Sequence, residues 1–578
     1  MDSQISSPYP KVTVPQTSYY QHVLTKSKEF SPGSPAFIDG ITGETLTRGE
    51  VEKECFLLAS AFRNVHKKGL VGLNKGSVVL FFSPNTTLYP RIQFALGAAG
   101  IVPGHTNSSY VADEVAHAYK ISGASHILVH PSLLQLASST LVSKLGFSEA
   151  DVKRRVIVAA RKKDVPADVA ARGFLDLDDI TKDVKPLDKP EPFDGNDAHE
   201  TAAIYFSSGT TGLSKAVALT HYNMNAFLVQ GTSVWPWHVH GRDIVQAVVP
   251  LYHVFGGIIL VVQSYYSGCP LVILPRFEPV SFLSSIQKLR ITSLALVPPL
   301  LHFILKSPLV EEYDLSSVKL IHVGAAPVST EIVLMTIDFF KKRGVDISIV
   351  QGYGMTESNG GMAFLRVEHM VKKAGSIGFL LPNIDGRLVD ENGAVVPRGS
   401  PGELWVRGPN FMKEYVGNPK ATQETRTADG WFKTGDVMTL DNDGFLTVVD
   451  RKKELIKYKG FQVAPAELEA ILFTHPSVSD AGVIGVYSAK DFSEVPKAYI
   501  APKDTKLLKA SQAEKDRAVA EIHQWLQGRI AHYKQLRGGI VFVEAIPKSP
   551  AGKVLRKDLR ALHQQWEKGQ GVKTSARL

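Results

Sequence analysis

The sequence predicts an α/β fold with a large N-terminal body of stacked, mostly parallel sheets, a β-rich subdomain and a small α+β C-terminal domain. Short runs rich in Val, Ile and Leu, such as "GSVVLFF" and "HILVH", alternate with helical patterns such as "SFLSSIQKLR". Covered parallel strands read as continuous apolar runs because both of their faces are buried. Between residues 382 and 450 the pattern changes to short strands separated by Gly and Asp turns, as in "GELWVRG".

These changes of pattern also predict the domain organisation. Residues 1–450 form the large body, which includes the β-rich subdomain at about 382–450. Residues 451–578 form the C-terminal domain, with strand and helix patterns such as "AGVIGVYS" and "AVAEIHQWLQ". A chain of 578 residues with 44% hydrophobic content is long and apolar enough to bury several cores.

Composition excludes several classes of protein. Cys55 and Cys269 are the only cysteines of the sequence and have no ligand-like neighbours, so neither a disulfide framework nor a zinc site is expected, and a reducing compartment is the default. The first 20 residues lack the basic and apolar regions of a secretory signal. The longest uncharged stretch, 256–274, contains polar residues and a proline, which favours a buried helix followed by a strand over a transmembrane segment.

The net charge of +9 is concentrated at the C-terminal end. Residues 451–578 contain 23 Lys and Arg against 13 Asp and Glu, whereas the preceding part of the chain is nearly neutral. These cations alternate with acidic and apolar residues and lack an aromatic platform on which bases could stack, so no nucleic-acid partner is predicted. A basic domain that faces a polyphosphate substrate fits the distribution as well.

The stretch "YFSSGTTGLSKAV" (205–217) combines hydroxyls, glycines and one lysine. Backbone N–H groups, hydroxyls and an ammonium all suit phosphate oxygens, although a flexible Ser/Gly loop is the alternative interpretation. The stretch does not match the G-x-x-x-x-G-K-[ST] motif, because Ser214 precedes Lys215 and Ala216 follows it. Strand-like runs on both sides predict a hairpin loop, with a helix from His221 onward.

Taken with six further motifs, this loop resembles the adenylate-forming superfamily, which includes the acyl-CoA synthetases, in its 4-coumarate:CoA ligase-like branch. The motifs occur in the family's order: "VPLYHVFG" (249–256), "VGAAP" (323–327), "QGYGMTES" (351–358), "GWFKTGD" (430–436), "DRKKELIKYKGFQVAPAELE" (450–469) and "PKSPAGKVLRKDL" (547–559). The resemblance covers roughly residues 30–560. It implies an ATP-dependent acid:CoA ligase that forms an acyl-AMP and then an acyl-CoA thioester, with ATP, Mg²⁺ and coenzyme A as cofactor and cosubstrates.

The resemblance also implies the nucleotide contacts. Glu357 would hold the magnesium ion and Asp436 the ribose hydroxyls, while Thr356 would contact the α-phosphate. The ATP- and AMP-binding residues implied in this way are Ser207, Ser208, Gly209, Thr210, Thr211, Gly212, Lys215, Ala325, Ala326, Pro327, Gln351, Gly352, Tyr353, Gly354, Met355, Thr356, Asp436, Arg451, Lys457, Gln462 and Lys553.

The remaining functional residues are divided between the two domains. In the family, a lysine equivalent to Lys553 bridges the carboxylate and the α-phosphate during adenylation, and the C-terminal domain then rotates about a hinge, here Lys453. Lys457 and Gln462 would act in the thioester-forming state. Positions implied to bind coenzyme A are Arg276, Lys459 and Gly460.

The acyl pocket is implied to be apolar, which favours a fatty, branched or unhydroxylated aryl acid. His253 corresponds to a gate beside the carboxylate. The pocket residues implied by the motifs are Phe255, Ile259, His322, Gly324, Gly352 and Asn359.

The chain ends in Ala576, Arg577 and Leu578, a variant of the S-K-L peroxisomal address. This ending predicts a peroxisomal location, the peroxisomal import receptor as a partner, and by analogy a fungal-type ligase of β-oxidation or secondary metabolism. Three alternatives remain: a luciferase-like oxygenase, an adenylating enzyme that loads a carrier protein, and a non-catalytic acyl-binding scaffold. The paired histidines of the first are missing at 252–254, no carrier motif follows the tail, and intact Lys553, Glu357 and Asp436 argue against the third.

Overall fold

A computed structural model describes the chain from residue 4 to residue 567 with short gaps. The described ranges are 4–207, 214–234, 238–326, 328–459, 461–488, 490–527, 529–549 and 552–567. Within them, the apolar runs predicted to be strands form two large, mostly parallel sheets. The prediction of an α/β body is therefore confirmed.

The first sheet consists of neighbouring parallel strands and an antiparallel hairpin at one edge. The hairpin is formed by the strands on either side of the hydroxyl-rich loop, as the sequence predicts. In spatial order the strands are Glu414–Tyr415, Lys215–Thr220, Thr201–Ser207, Val102–Thr106, Val78–Phe82, His126–Val129, Val156–Val158 and Leu175–Asp176.

The second sheet has a parallel centre with antiparallel strands at both edges. Its central strands are almost entirely buried, which explains their continuous apolar sequences. In spatial order the strands are Phe379–Leu380, Ala363–Phe364, Ser348–Tyr353, Leu320–Val323, Ser293–Leu296, Val245–Ala247, Leu271–Ile273, Pro35–Asp39 and Thr45–Thr47.

The segment with Gly and Asp turns forms an antiparallel sheet, as predicted. Its strands are Ile5–Ser6, Asp385–Val389, Gly402–Arg407, Phe432–Leu440 and Leu446–Arg451. The chain then forms a small hairpin and a mixed sheet with strands Ile456–Tyr458, Phe461–Val463, Val478–Ser488, Ser493–Pro502 and Ile540–Phe542.

Helices cover the sheets. The uncharged stretch predicted as a buried helix and strand forms a π-helix at Phe255–Val262, a turn of α-helix and a strand. The α-helices of the described chain are Tyr19–Ser27, Arg48–Arg63, Leu88–Ala98, Ala112–Ser122, Leu134–Leu145, Glu149–Lys153, Ala167–Ala170, Leu177–Thr181, His221–Val234, Gln263–Tyr266, Pro279–Leu289, Pro298–Lys306, Thr330–Lys341, Pro419–Glu424, Pro465–Phe473, Gln512–Leu526 and Arg556–Glu567.

The buried residues form distinct hydrophobic clusters. The largest extends from Tyr19 to Leu446 and also contains Phe473, whereas a separate cluster lies within residues 456–559. Cys55 and Cys269 are buried free thiols. Among the described helices, none is long and apolar enough to span a bilayer.

Candidate active site

A cavity of about 1440 Å³ lies where strands from both parallel sheets end. His105 and Ser207 line it from the first sheet, and Gly324 and Gly352 line it from the second. In open α/β sheets, ligands bind in the crevice outside the carboxyl ends of the strands. The antiparallel sheet and the C-terminal domain add further wall residues, including Asp436 and Lys553.

The hairpin of the hydroxyl-rich loop places Ser207 and Lys215 directly opposite each other at its neck, facing the cavity. The Nζ of Lys215 lies 4.4 Å from the ring centroid of Tyr415, and the Tyr415 hydroxyl donates a 2.7 Å hydrogen bond to Oε1 of Glu357. Tyr415 therefore connects the cation of the loop to the carboxylate predicted to hold magnesium.

Glu357 follows the strand Ser348–Tyr353 in a short 3₁₀ turn with Thr356, and both side chains are buried at the cavity wall. The described residues contain no cluster of three His, Cys, Asp or Glu side chains that could chelate a metal. A single carboxylate suits magnesium, which usually keeps waters and substrate phosphate oxygens as its other ligands. The donor set is thus compatible with a magnesium ion that arrives with a nucleotide.

Asp436 lies on the strand Phe432–Leu440 and is held from two sides. The Tyr353 hydroxyl donates a 2.5 Å hydrogen bond to Oδ2, and Nε of Arg451, its partner on the next strand, lies 3.4 Å from Oδ1. Burial, with the nearby Asp436 charge, holds the pKa of Tyr353 well above its usual range, so the phenol remains a donor. The carboxylate is therefore pre-oriented toward the cavity as a hydrogen-bond acceptor.

Lys553 enters the same cavity from the C-terminal domain. Burial and the neighbouring Arg451 lower the pKa of its ammonium to about 8, against the opposing effect of Asp436 and Glu357. The lysine remains mostly protonated at neutral pH. It is a half-buried positive charge among groups suited to phosphate and ribose.

His253 is half-buried at the cavity wall, and its Nδ1 accepts a 3.3 Å hydrogen bond from the backbone N–H of Phe255. Burial, with a contribution from the Lys553 charge, lowers the pKa of His253 to about 4. The imidazole is therefore neutral and carries its proton on Nε2.

The cavity wall is apolar on the side of the predicted acyl pocket. Phe255, Ile259, Gly324 and Gly352 line it, as does His322, whose Nε2 lies 3.0 Å from the Ser293 hydroxyl. Burial, with His238 nearby, holds the pKa of His322 well below its usual range. The His322 imidazole is consequently neutral.

Several residues with predicted roles do not line the cavity. Arg276 and Gln462 are exposed, and Lys459 is also exposed and bonds Asp491 at 2.9 Å. Lys457 and Lys453 do contribute to the cavity wall. In this orientation of the C-terminal domain, Lys553, which is predicted to act in adenylation, lines the cavity. Gln462 and Lys459, which are predicted to act in thioester formation, lie outside it.

Asn359 and Gln351 are buried in the body and have structural contacts. The Asn359 amide donates a 2.8 Å hydrogen bond to the Asn410 carbonyl, and Gln351 Oε1 accepts a 3.2 Å bond from the N–H of Val328. Ala326 is likewise absent from the cavity wall, whereas Ala325 and Met355 belong to it. The partners of Asn359 and Gln351 are distant in the sequence, so the motifs do not reveal these contacts.

Packing within the large body requires glycine at position 354. A Cβ at Gly354 would lie 2.1 Å from the carbonyl oxygen of Gly360, so the strand end packs backbone against backbone. Gly354 lines the cavity, but it is the nearby backbone at Gly360 that leaves no room for a side chain.

Some predicted residues lie outside the described part of the chain. They are Ser208, Gly209, Thr210, Thr211, Gly212, Pro327, Gly460, Ala576, Arg577 and Leu578.

Tyr415, His105 and Glu403 also line the cavity, although the sequence does not predict them there. The bond from Tyr415 to Glu357 spans 58 residues, and Glu403 pairs with Lys452 at 2.9 Å. His105 is buried, bonded to Tyr89 at 2.7 Å and stacked on Tyr205. None of these residues lies in a motif, so no local signal marked them.

The fold defined by these domains is that of the adenylate-forming enzymes. ATP-bound MatB from Rhodopseudomonas palustris superposes with a TM-score of 0.78 over 95% of this chain and 99% of that structure, at 24% identity. The profile described as AMP-binding enzyme matches residues 24–416, and the profile of the AMP-binding enzyme C-terminal domain matches residues 467–553.

Two relatives extend the comparison over nearly the whole chain. A protein named probable 4-coumarate--CoA ligase 3 from Dictyostelium discoideum is 34% identical over 96% of this chain and 97% of its own length. Peroxisomal OPC-8:0-CoA ligase 1 from Arabidopsis thaliana is 35% identical over 92% of this chain and 91% of its own length. The chain belongs to the AMP-binding enzyme family, within its acyl- and aryl-CoA ligases. The alternatives of an oxygenase, a carrier-loading enzyme or a scaffold are not favoured.

Proposed function

We propose that this chain is an ATP-dependent ligase that joins an apolar carboxylic acid to coenzyme A through an acyl-AMP intermediate. The observation that carries the proposal is the convergence of Lys215, Glu357, Asp436 and Lys553 on one cavity with an apolar wall. Phosphoryl transfer needs positioning and charge stabilisation more than covalent chemistry, and these residues provide both.

In the first half-reaction, a carboxylate oxygen of the acid attacks the α-phosphorus of ATP and pyrophosphate leaves. Lys553 holds its proton and bridges the attacking carboxylate and the α-phosphate. Asp436 accepts hydrogen bonds from the ribose hydroxyls, while Ser207 and Lys215 contact the outer phosphates. Glu357 would hold a magnesium ion, which neutralises phosphate charge when bound.

In the second half-reaction, the sulfur of coenzyme A attacks the acyl carbon and AMP leaves. The C-terminal domain, residues 451–578, turns about Lys453 and brings Lys459 and Gln462 toward the site, where Lys457 already lies. Its separate hydrophobic cluster and the exposure of Lys459 and Gln462 in this orientation support such a rotation. Arg276 contacts the nucleotide part of coenzyme A.

The acid is uncharged at the end remote from its carboxylate. Phe255, Ile259 and Phe364 contribute apolar surface to the cavity, and His322 is neutral. Among the described residues of this apolar wall there is no cationic partner for a buried negative charge, whose burial would therefore be costly. Fatty, branched and unhydroxylated aryl acids satisfy this condition.

To test the proposal, the protein is incubated with ATP, coenzyme A and one acid at a time. The acids are octanoate, a branched short-chain acid, cinnamate, 4-coumarate and malonate. We expect thioesters of the apolar monoacids, identified by mass, and AMP in equal amount. The variant Lys553→Ala should lose acid-dependent pyrophosphate release and still form thioester from synthetic acyl-AMP. Absence of acid-dependent pyrophosphate release from the wild type with every acid would refute the function.

We also propose a peroxisomal location through the C-terminal tripeptide and the import receptor that reads it. One relative is named peroxisomal, which supports the proposal. A fluorescent fusion at the N-terminus should give punctate signal that becomes diffuse when Ala576–Leu578 is deleted. Unchanged puncta after the deletion would contradict this address.

A further inference from the structure

The helix Pro298–Lys306 of the large body lies directly beneath the C-terminal domain. Leu300, Leu301 and Ile304 are buried in the body. Pro299, His302 and Lys306 are spaced three and four residues apart and therefore share another side of the helix. Each of these three contacts the C-terminal domain.

At one end of the helix, Pro299 packs against the turn that carries Lys553. Gly552 has a φ of +76°, and a Cβ on it would lie 2.9 Å from Cδ of Pro299 and 3.2 Å from Cγ2 of Val297. The Gly552 N–H donates a 2.7 Å hydrogen bond to the carbonyl of Ser549. The backbone next to Lys553 is therefore seated on the first turn of this helix.

At the other end, Lys306 and His302 hold Phe473, the last residue of the helix Pro465–Phe473. The Nζ of Lys306 donates hydrogen bonds to the carbonyls of Phe473 at 3.3 Å and Val478 at 2.9 Å, and it lies 3.6 Å from the Phe473 ring centroid. The His302 ring stacks on the same ring at a centroid distance of 3.4 Å. A cation suits this place because carbonyls at the end of a helix lack partners within the helix.

Although Phe473 lies in the sequence of the C-terminal domain, its side chain packs in the core of the large body. It is 3% exposed and joins the hydrophobic cluster of the large body, whereas Leu468 and Leu472 of the same helix pack in the cluster of residues 456–559. The burial of its ring and the two carbonyl contacts of Lys306 therefore exist only while the domains are docked in this orientation. Interactions made in one of two states shift the population toward that state.

We propose that helix Pro298–Lys306 is a docking platform, and that Lys306, His302 and Phe473 are positioning residues that hold Lys553 in the cavity for the adenylation half-reaction. This inference rests on the proposed function. It predicts that weakening the platform impairs acyl-AMP formation selectively, because a displacement of about 1 Å at the reacting groups can cost about 100-fold in rate.

The experiment measures the two half-reactions separately in the full chain. Lys306→Met retains the aliphatic stem but removes the charge and the hydrogen bonds, and Phe473→Leu retains an apolar side chain without the ring. Acid-dependent ATP–pyrophosphate exchange, with octanoate or cinnamate, whichever the wild type uses faster, should fall about 10- to 100-fold in both variants. Thioester formation from synthetic acyl-AMP and coenzyme A should remain near the wild-type rate.

Two controls separate positioning from general damage. Lys341→Met removes an exposed lysine at the end of another helix of the body and should leave both half-reactions and the thermal midpoint unchanged. Lys306→Arg retains a cationic donor and should restore most of the exchange rate. Equal loss of both half-reactions, or wild-type exchange in Lys306→Met, would overturn the platform role. An inactive wild type would instead refute the proposed function.

Discussion

Glu357 shows how much of the cavity depends on single side chains from distant parts of the chain. Its carboxylate is buried and accepts a hydrogen bond from Tyr415, whose ring also lies under the Lys215 ammonium. Burial, with the Glu357 charge nearby, raises the pKa of Tyr415, so the phenol keeps its proton and remains a donor. One tyrosine thus orients the metal-binding candidate and the loop lysine together.

Replacement of Tyr415 by phenylalanine tests this arrangement. The ring and its contact with Lys215 are retained, but Glu357 loses its neutral donor and can rotate. A hydrogen bond to a charged group contributes about 1.5 to 3 kcal/mol, so we expect the KM for ATP to rise about tenfold or more. Initial rates at varied ATP and magnesium measure the effect.

Tyr487→Phe serves as the matched control, since Tyr487 is 69% exposed in the C-terminal domain. It should leave the KM for ATP unchanged. If Tyr415→Phe also has the wild-type KM, Tyr415 does not orient Glu357 for the nucleotide.

At the scale of elements, the position of the segment that carries His253 is set by a buried asparagine between strands. The Asn85 side chain donates to the carbonyls of Val249 and Leu274 at 3.0 and 3.1 Å and accepts from the Leu251 N–H at 2.8 Å. The segments that follow two strands of the second sheet, and the residues that precede the π-helix, are therefore joined through one side chain that follows a strand of the first sheet.

Asn85→Ala should break this connection. Three buried backbone groups lose their hydrogen-bond partner, and each unsatisfied group lowers the free energy of unfolding by about 1 to 3 kcal/mol. We expect unfolding by urea at a lower concentration and an increased KM for the acid, because the segment at 250–255 is no longer held.

The comparison variant is Asn392→Ala, which alters an exposed turn of the β-rich subdomain. Its urea midpoint should match the wild type. A wild-type midpoint in Asn85→Ala would mean that the three bonds contribute little to stability.

At the scale of the whole molecule, buried histidines make stability dependent on pH. Burial lowers the pKa of His105 and of His221 to about 3 and that of His126 to about 4, from the ordinary value of 6.5. Between pH 6.5 and 4 the unfolded chain binds protons that the native chain excludes. Stability therefore falls as the pH falls through this window, by about 1 to 2 kcal/mol per histidine at pH 5.

His126→Gln isolates one such contribution at a position that does not line the cavity. In the native chain His126 Nε2 lies 3.0 Å from the Val71 carbonyl oxygen. The variant should show a smaller drop in thermal midpoint between pH 7.5 and pH 5 than the wild type. The exposed His66 provides the control substitution, His66→Gln, whose pH dependence should equal that of the wild type. An unchanged drop in His126→Gln would contradict the assignment.

The strands and the motif order were predictable from sequence because they depend on local information. Apolar runs identify covered strands, as in Val245–Ala247, and the hydroxyl-rich loop with its flanking runs identifies a hairpin. Most of the site residues were predicted from the family resemblance. Many of them, including Lys553 and Asp436, line one cavity.

Contacts between distant residues were decided only by the tertiary structure. The bond between Tyr353 and Asp436 spans 83 residues, and the contact of Lys306 with Phe473 crosses two domains. Asn359 and Gln351 occur in or beside motifs, yet their amides bond to the body and not to the cavity. A local pattern reports which face of an element is buried, but which partner meets it depends on how all the elements pack together.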